Sequence, residues 1–324
     1  MVSRSENSRI GMPKNPKPLP SHATDQGEWT APMSATASSS NRIPVSTSHL
    51  TPVSHRPPLI DYIQRLWQRR YFIMSDARGR SKRSMRSSSW SLVWLVLSPF
   101  LNAMVYYLVF GMLLQTSRGI ENFPAYLVVG LNFFRVLRTS LTTGSGVMNT
   151  RASQNLIRSF AFPRASIVLS WTIRQFLDFM PVFVATIVFL LIVPPHVMPT
   201  WHWLLIPIVI FFGFLFVFGL VLFTSFITSL LPHMQYIWPL VGRFWFYVSG
   251  IFFSMQMFDP LPTVKTVMEV NPAYVYLSMS RDLLIYQTVP SWDTWVYMAG
   301  WAFLFTALGF ILFWTREDRY GEAN

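Results

Sequence analysis

Six apolar runs dominate the 324 residues, each reaching or passing the roughly 20 residues a helix needs to cross a bilayer core of about 30 Å. They fall at about Trp90–Leu114, Pro124–Thr143, Val168–Val193, Trp203–Leu230, Tyr236–Phe258 and Trp292–Trp314, the second and third interrupted by charges. The expectation is an all-α integral membrane protein with six transmembrane helices. Composition agrees, since 52% hydrophobic and only 12% charged residues could not solvate the surface of a soluble fold this size. The absence of cysteine removes disulfides and thiolate metal sites.

A net charge of +12 invites a nucleic-acid reading, but its distribution argues otherwise. Fourteen of the 26 lysines and arginines precede residue 87, and seven of those lie between Arg69 and Arg86. A basic cluster beside a first span marks the cytoplasmic side, and a basic tail on anionic lipid accounts for the charge without nucleic acid. Residues 1–55 lack the apolar core of a secretory signal, so no cleaved leader is expected. Six crossings from an inside start put both termini in the cytoplasm. The turn near 150–166, with Arg151, Arg158 and Arg164, is then also inside, whereas PPHVMPTWH (194–202), with no lysine or arginine, is outside.

Four regions follow. Residues 1–58, rich in Ser, Thr and Pro, are expected to be a disordered tail. Residues 59–88 hold an amphipathic helix and a basic linker. Ile60, Ile63, Trp67, Tyr71 and Met74 recur at helical spacing, so the helix lies in the inner membrane interface or, alternatively, on a partner. The membrane domain occupies 89–316, and 317–324 form a cytoplasmic tail. Between spans five and six, residues 259–291 are too apolar for an exposed loop. They predict short re-entrant helices covered by protein.

Enzymatic signatures are sparse. No P-loop occurs and no Gly precedes a Lys, so no cofactor is expected in this chain. No H-E-x-x-H or clustered His and acids suggest a metal. The outer acids Asp259, Glu269, Asp282 and Asp293 offer carboxylates for acid–base work, or simply keep an outer surface wet.

Charge within spans is costly and faces a cavity or a partner. Arg135 and Arg138, three residues apart, share a helix face; Arg174 and Asp178, four apart, form an intramembrane pair; Arg243 lies in the fifth span. Guanidinium grips phosphate in bidentate fashion, so Arg135, Arg138 and Arg243 are candidates for a path taken by an anionic headgroup, or else interface anchors. In the same span Trp245, Phe246 and Tyr247 offer rings that stack on sugars or pack in lipid.

The order of WLVLSPFLNAMVYYLVFGMLL (94–114), GIENFPAYLVVGLNFF (119–134), NLIRSFAFPR (155–164) and NPAYVYLSMSRDLLI (271–285) resembles the membrane subunits of ABC-2-type exporters for polysaccharides such as O-antigen, teichoic acid or galactan. The resemblance spans about residues 59–316. It departs from the family at WSLVW, where Trp90 and Ser91 stand in the usual Leu-Gly places, and at Arg135 and Arg138. It implies a permease without nucleotide-binding machinery, in a bacterial inner membrane, paired with a second copy and with a dimer of separate ATPase subunits that carry ATP and Mg. The implied cargo is a polyprenyl-pyrophosphate-linked polysaccharide; drug or lipid export and an integral-membrane glycosyl- or phosphotransferase are the alternatives. It further implies that Asn155, Leu156, Ile157, Arg158, Phe160, Phe162, Pro163 and Arg164 form a coupling helix docking on the ATPase. The outer gate would then use Asn271, Pro272, Tyr274, Arg281 and Asp282.

Overall fold

Asn122 and Pro124 open the helix around which the others are arranged. The Asn122 side chain accepts a hydrogen bond from the Ala125 amide at 3.1 Å, capping a donor that the first turn cannot satisfy, and Pro124 sits where its missing N–H costs nothing. The computed structural model describes residues 58–86, 90–114, 120–150, 153–155 and 163–317, with the side chains of 84–86 left aside. Its helices are α1 (Leu59–Gln68), α2 (Arg70–Arg86), α3 (Ser91–Tyr106), α4 (Phe123–Gly146), α5 (Ala165–Ile192), α6 (Ile206–Leu230), α7 (Met234–Val248), α8 (Pro262–Val270), α9 (Pro272–Arg281) and α10 (Trp292–Thr315). A π-helical stretch Tyr107–Leu113 extends α3, and another, Asp282–Tyr286, extends α9. No strand occurs among the described residues.

Four stretches are long and apolar enough to cross a membrane: Ser91–Leu113, Ala165–Ile192, Trp201–Leu230 and Trp292–Thr315. They match the first, third, fourth and sixth expected spans. α4 has 24 residues, but Asn132, Arg135, Arg138 and a run of hydroxyls make it more polar. The fifth expected span is not one helix. α7 stops at Val248 after 15 residues, about 22 Å of rise, and the chain turns at Ser249 and Gly250 before a 3-10 turn at Met255–Phe258.

α4 packs against α3, α5, α6, α7 and α9. The closest crossing lies between α6 and α10. A Cβ on Gly219 would strike the Phe305–Thr306 backbone, and one on Gly309 would strike the Gly219 carbonyl. Thr306 Oγ1 donates to the Leu215 carbonyl across the same seam at 2.8 Å. Helices surrounded by lipid gain from such close approach because packing and hydrogen bonds, rather than water expulsion, hold them together.

Before the first span, Ile60, Ile63, Trp67 and Tyr71 all point away from the protein, Trp67 being 70% exposed, while Tyr62 on the other side is 1% exposed. The arginine-rich stretch 78–86, expected as a linker, is instead helical. Arg, Lys, Met and Ala favour helix, and α2 is also fastened along α5: Ser170 Oγ donates to Asp76 at 2.6 Å and Ser81 Oγ to Asp178 at 2.7 Å. Beyond α7, the apolar outer segment folds into α8 and α9, and α9 is buried against α4, α6 and α10.

Candidate functional site

Three charges carried by α4 and α5, Arg135, Arg174 and Asp178, line one cavity. Arg174 Nε lies 3.3 Å from Asp178 Oδ2, the pairing expected from their spacing, although the geometry is ionic rather than hydrogen-bonded. α2 adds to this group. Arg80 binds Asp76 at 2.8 Å, and the Arg80 and Arg174 guanidiniums stand 5.3 and 5.1 Å from the centre of the Trp171 ring. Arg135 joins Trp171, Arg174 and Asp178 around a cavity of about 190 Å³ between α4 and α5. Arg138 does not. It lies along Gly242 on α7 and is exposed. Residues three apart are offset by 60° around a helix, and α4 has α5 on one flank and α7 on the other, so the two arginines serve different sides.

Of the remaining proposed path residues, Arg243 and Tyr247 are exposed on α7. Phe246 is not available to a passing ligand. It is 6% exposed and packed among Tyr106, Phe134, Tyr247 and Phe252, because a helix ringed with aromatics must turn some of them inward. Trp245 is half-buried, and its Nε1 donates to Asn271 Oδ1 at 2.8 Å.

At the start of α5, three distant segments are knotted. Glu317 accepts from the Tyr62 hydroxyl and from the Arg164 amide, both at 2.8 Å, and the Tyr62 oxygen accepts from the Ala165 amide at 3.1 Å. A carboxylate therefore sits on the Arg164 amide that caps α5, with the Tyr62 oxygen on the next amide, where unpaired N–H groups and the helix dipole favour negative charge. Burial, with the Glu317 carboxylate beside it, holds the Tyr62 phenol well above its ordinary value, so it stays a donor. Glu317, expected to begin a free tail, is buried here. Pro163 is buried and Asn155 exposed, while Arg164 is half-buried with Nη1 enclosed and unpaired. Leu156, Ile157, Arg158, Phe160 and Phe162 lie outside the described residues.

The residues expected at the outer gate form a clamp. Arg281 is 2% exposed, and its guanidinium donates to three backbone carbonyls: Gly250 at 2.9 Å, Ile251 at 3.3 Å and Tyr126 at 3.3 Å. It also lies 3.4 Å from the centre of the Tyr126 ring. The Tyr126 hydroxyl donates to the Gly250 and Phe253 carbonyls. A Cβ on Gly130 would occupy the Arg281 guanidinium's place, so this close approach requires glycine there. Asn271 caps α9 through Ala273 N and donates to the Val248 carbonyl and Ser249 Oγ. Pro272 follows at the first helical position. Tyr274 is half-buried beside Gly250, and Asp282 accepts from Ser278 at 3.4 Å. Expected as gate residues, Asn271 and Arg281 spend their polar groups holding α9 to α4 and to the end of α7. Of the other outer acids, Asp259 is paired with Lys265 at 2.8 Å, and no group of three His, Asp or Glu suited to a metal occurs among the described residues.

An O-antigen export system permease protein of Myxococcus xanthus is 21% identical over 265 residues, covering 82% of this chain and all of that protein. Two O-antigen export system permease proteins of Klebsiella pneumoniae are 25% and 24% identical over 76% and 73% of this chain, covering 91% and 88% of their own lengths. Residues 77–285, well over half of the chain and running from α2 through the outer clamp, match the ABC-2 type transporter family as a whole, and on that match the chain belongs to the ABC-2 type transporters.

Proposed function

We propose that this chain is the permease subunit of an exporter that carries a polyprenyl-pyrophosphate-linked polysaccharide across a bacterial inner membrane, driven by a separate ATPase. The observation that carries this reading is the near-complete coverage of the O-antigen permeases by this chain. Geometry supports a channel completed by a second copy. Arg138 and Arg243 are exposed on α4 and α7, and cations at membrane depth need a polar compartment. The neighbouring faces of α3 and α7, with Leu97, Leu101, Met104, Leu240, Phe244 and Tyr247 uncovered, are the surface that a second copy would close over. Arg138 and Arg243 would then meet the pyrophosphate, and Tyr247 the sugars. α4 and the short α7 with its continuation would complete six crossings, and α8 and α9 would re-enter from the outer side.

In this reading, ATP binding closes the ATPase pair, and the segment Asn155–Arg164 transmits the motion. α1 lies in the inner interface on its Ile60, Ile63, Trp67 and Tyr71 face and frames the lateral entry for the lipid anchor. Both termini are cytoplasmic. The test replaces Arg158 with Glu and Phe160 with Ala, then measures ATPase co-purification and polysaccharide at the cell surface. Both should fall severalfold, and wild-type levels of both would remove the docking assignment.

A further inference from the structure

We infer that the cavity between α4 and α5 is a binding site for the phosphate of a hydroxyl-bearing anionic lipid, held within a single subunit. The site goes beyond export itself, since a lipid seated there would stay whatever the cargo. Three guanidiniums, Arg80, Arg135 and Arg174, stand at or beside the cavity against two carboxylates, Asp76 and Asp178. Arg80 and Arg174 are matched; Arg135 makes no ion pair among the described residues, which leaves one positive charge over. Among the described residues, Trp171 Nε1 is buried without a hydrogen-bond acceptor, and Arg174 Nε has only its 3.3 Å ionic contact with Asp178. Buried donors in that condition cost free energy unless something accepts from them. A phosphate supplies acceptors and negative charge together.

One acceptor is also orphaned. Asn132 donates through Nδ2 to Thr186, but its Oδ1 is buried and unpaired at the same cavity. A headgroup hydroxyl beside the phosphate would satisfy it. The rest of the wall mixes Thr139, Thr143 and Gln175 with an apolar side of Leu95 on α3 and Phe179 and Val182 on α5, which suits the start of an acyl chain. The depth also fits. Ser81 touches Asp178, so the basic helix α2 runs level with the cavity, and a helix this rich in Arg and Lys belongs among headgroups. A volume of about 190 Å³ is several times the roughly 30 Å³ share of one water.

The phosphate is shared by a bilayer glycerophospholipid and by the end of a polyprenyl carrier, the neighbouring hydroxyl only by the glycerophospholipid, and one experiment separates them. Purified full-length protein, stripped of lipid, is incubated with phosphatidylglycerol, and retained lipid is counted by native mass spectrometry. Wild type should keep one more phosphatidylglycerol per chain than the double variant Arg135→Gln, Trp171→Phe. Arg70→Gln, which removes an exposed charge of α2, should keep the wild-type number. Equal retention by all three proteins overturns the site, as does an equal loss in the Arg70 variant. Matching size-exclusion profiles establish that the variants are folded, and Trp171→Phe alone, which keeps the ring, should still weaken retention. Excess polyprenyl phosphate that displaces the bound lipid assigns the site to the carrier; undisturbed phosphatidylglycerol assigns it to the bilayer.

Discussion

Replacing Arg281 with Met keeps an unbranched apolar stem and removes all three guanidinium donors of the clamp. A hydrogen bond from a charged group contributes about 1.5–3 kcal/mol. The contact to Gly250 at 2.9 Å counts in full, and the two at 3.3 Å count for less. Gly250 keeps the Tyr126 hydroxyl as a donor, so the carbonyls left bare are those of Tyr126 and Ile251. Offsetting this, methionine has no charge to desolvate. The net loss is about 3 kcal/mol, and at about 2 °C per kcal/mol for a large chain the apparent Tm in detergent falls by about 6 °C. Tyr126→Phe removes neutral donors only and should cost about 1 kcal/mol. The double variant should lose more than the sum, because each single variant leaves the Gly250 carbonyl one donor and only the pair leaves it bare. Limited proteolysis should show new cleavage between Ser249 and Asp259 in Arg281→Met. A variant that melts within about 1 °C of wild type, with unchanged cleavage, would mean that the clamp does not hold α9 in place.

Two further outcomes follow from packing and protonation. Since the folded-state value of Tyr62 is raised, its contribution is complete below the ordinary tyrosine value of about 10 and is lost as pH rises beyond it, when the unfolded phenol ionises first. Thermal melts of wild type and Tyr62→Phe should therefore differ at pH 8 and converge toward pH 11, and a constant difference would refute the link. Gly309→Val drives a side chain into the Gly219 carbonyl and should cost at least about 1–3 kcal/mol, read as loss of the monodisperse peak in size exclusion; an unchanged profile would place the α6–α10 crossing elsewhere.

The elements legible in the sequence are those set by local pattern. Apolar length marked four spanning helices, helical spacing marked the exposed stripe Ile60, Ile63, Trp67 and Tyr71, and a separation of four paired Arg174 with Asp178. The apolar bias of residues 259–291 foretold short helices, of which α9 is buried against the bundle and α8 is largely exposed. What escaped was nonlocal. Arg281 was expected at an outer gate, whereas its partners are main-chain oxygens that no side-chain pattern announces. Gly130 and the Asn271-Pro272 helix start were the available signals. Tyr62 and Glu317 are 255 residues apart, and nothing in either neighbourhood hints at the other. Charge misled twice. It made α2 look like a linker although its residues favour helix, and it placed Arg135 and Arg138 on one path although α4 parts them.

The seam between α2 and α5 bears on how force would travel. With Tyr62 tied beside Ala165, Asp76 beside Ser170 and Ser81 beside Asp178, the segment ahead of the first span is lashed to α5 at three successive heights. A shove arriving at Pro163 would not bend this pair; it would shift both rods together, carrying Trp67 and its neighbours along the surface like a rudder fixed to a mast.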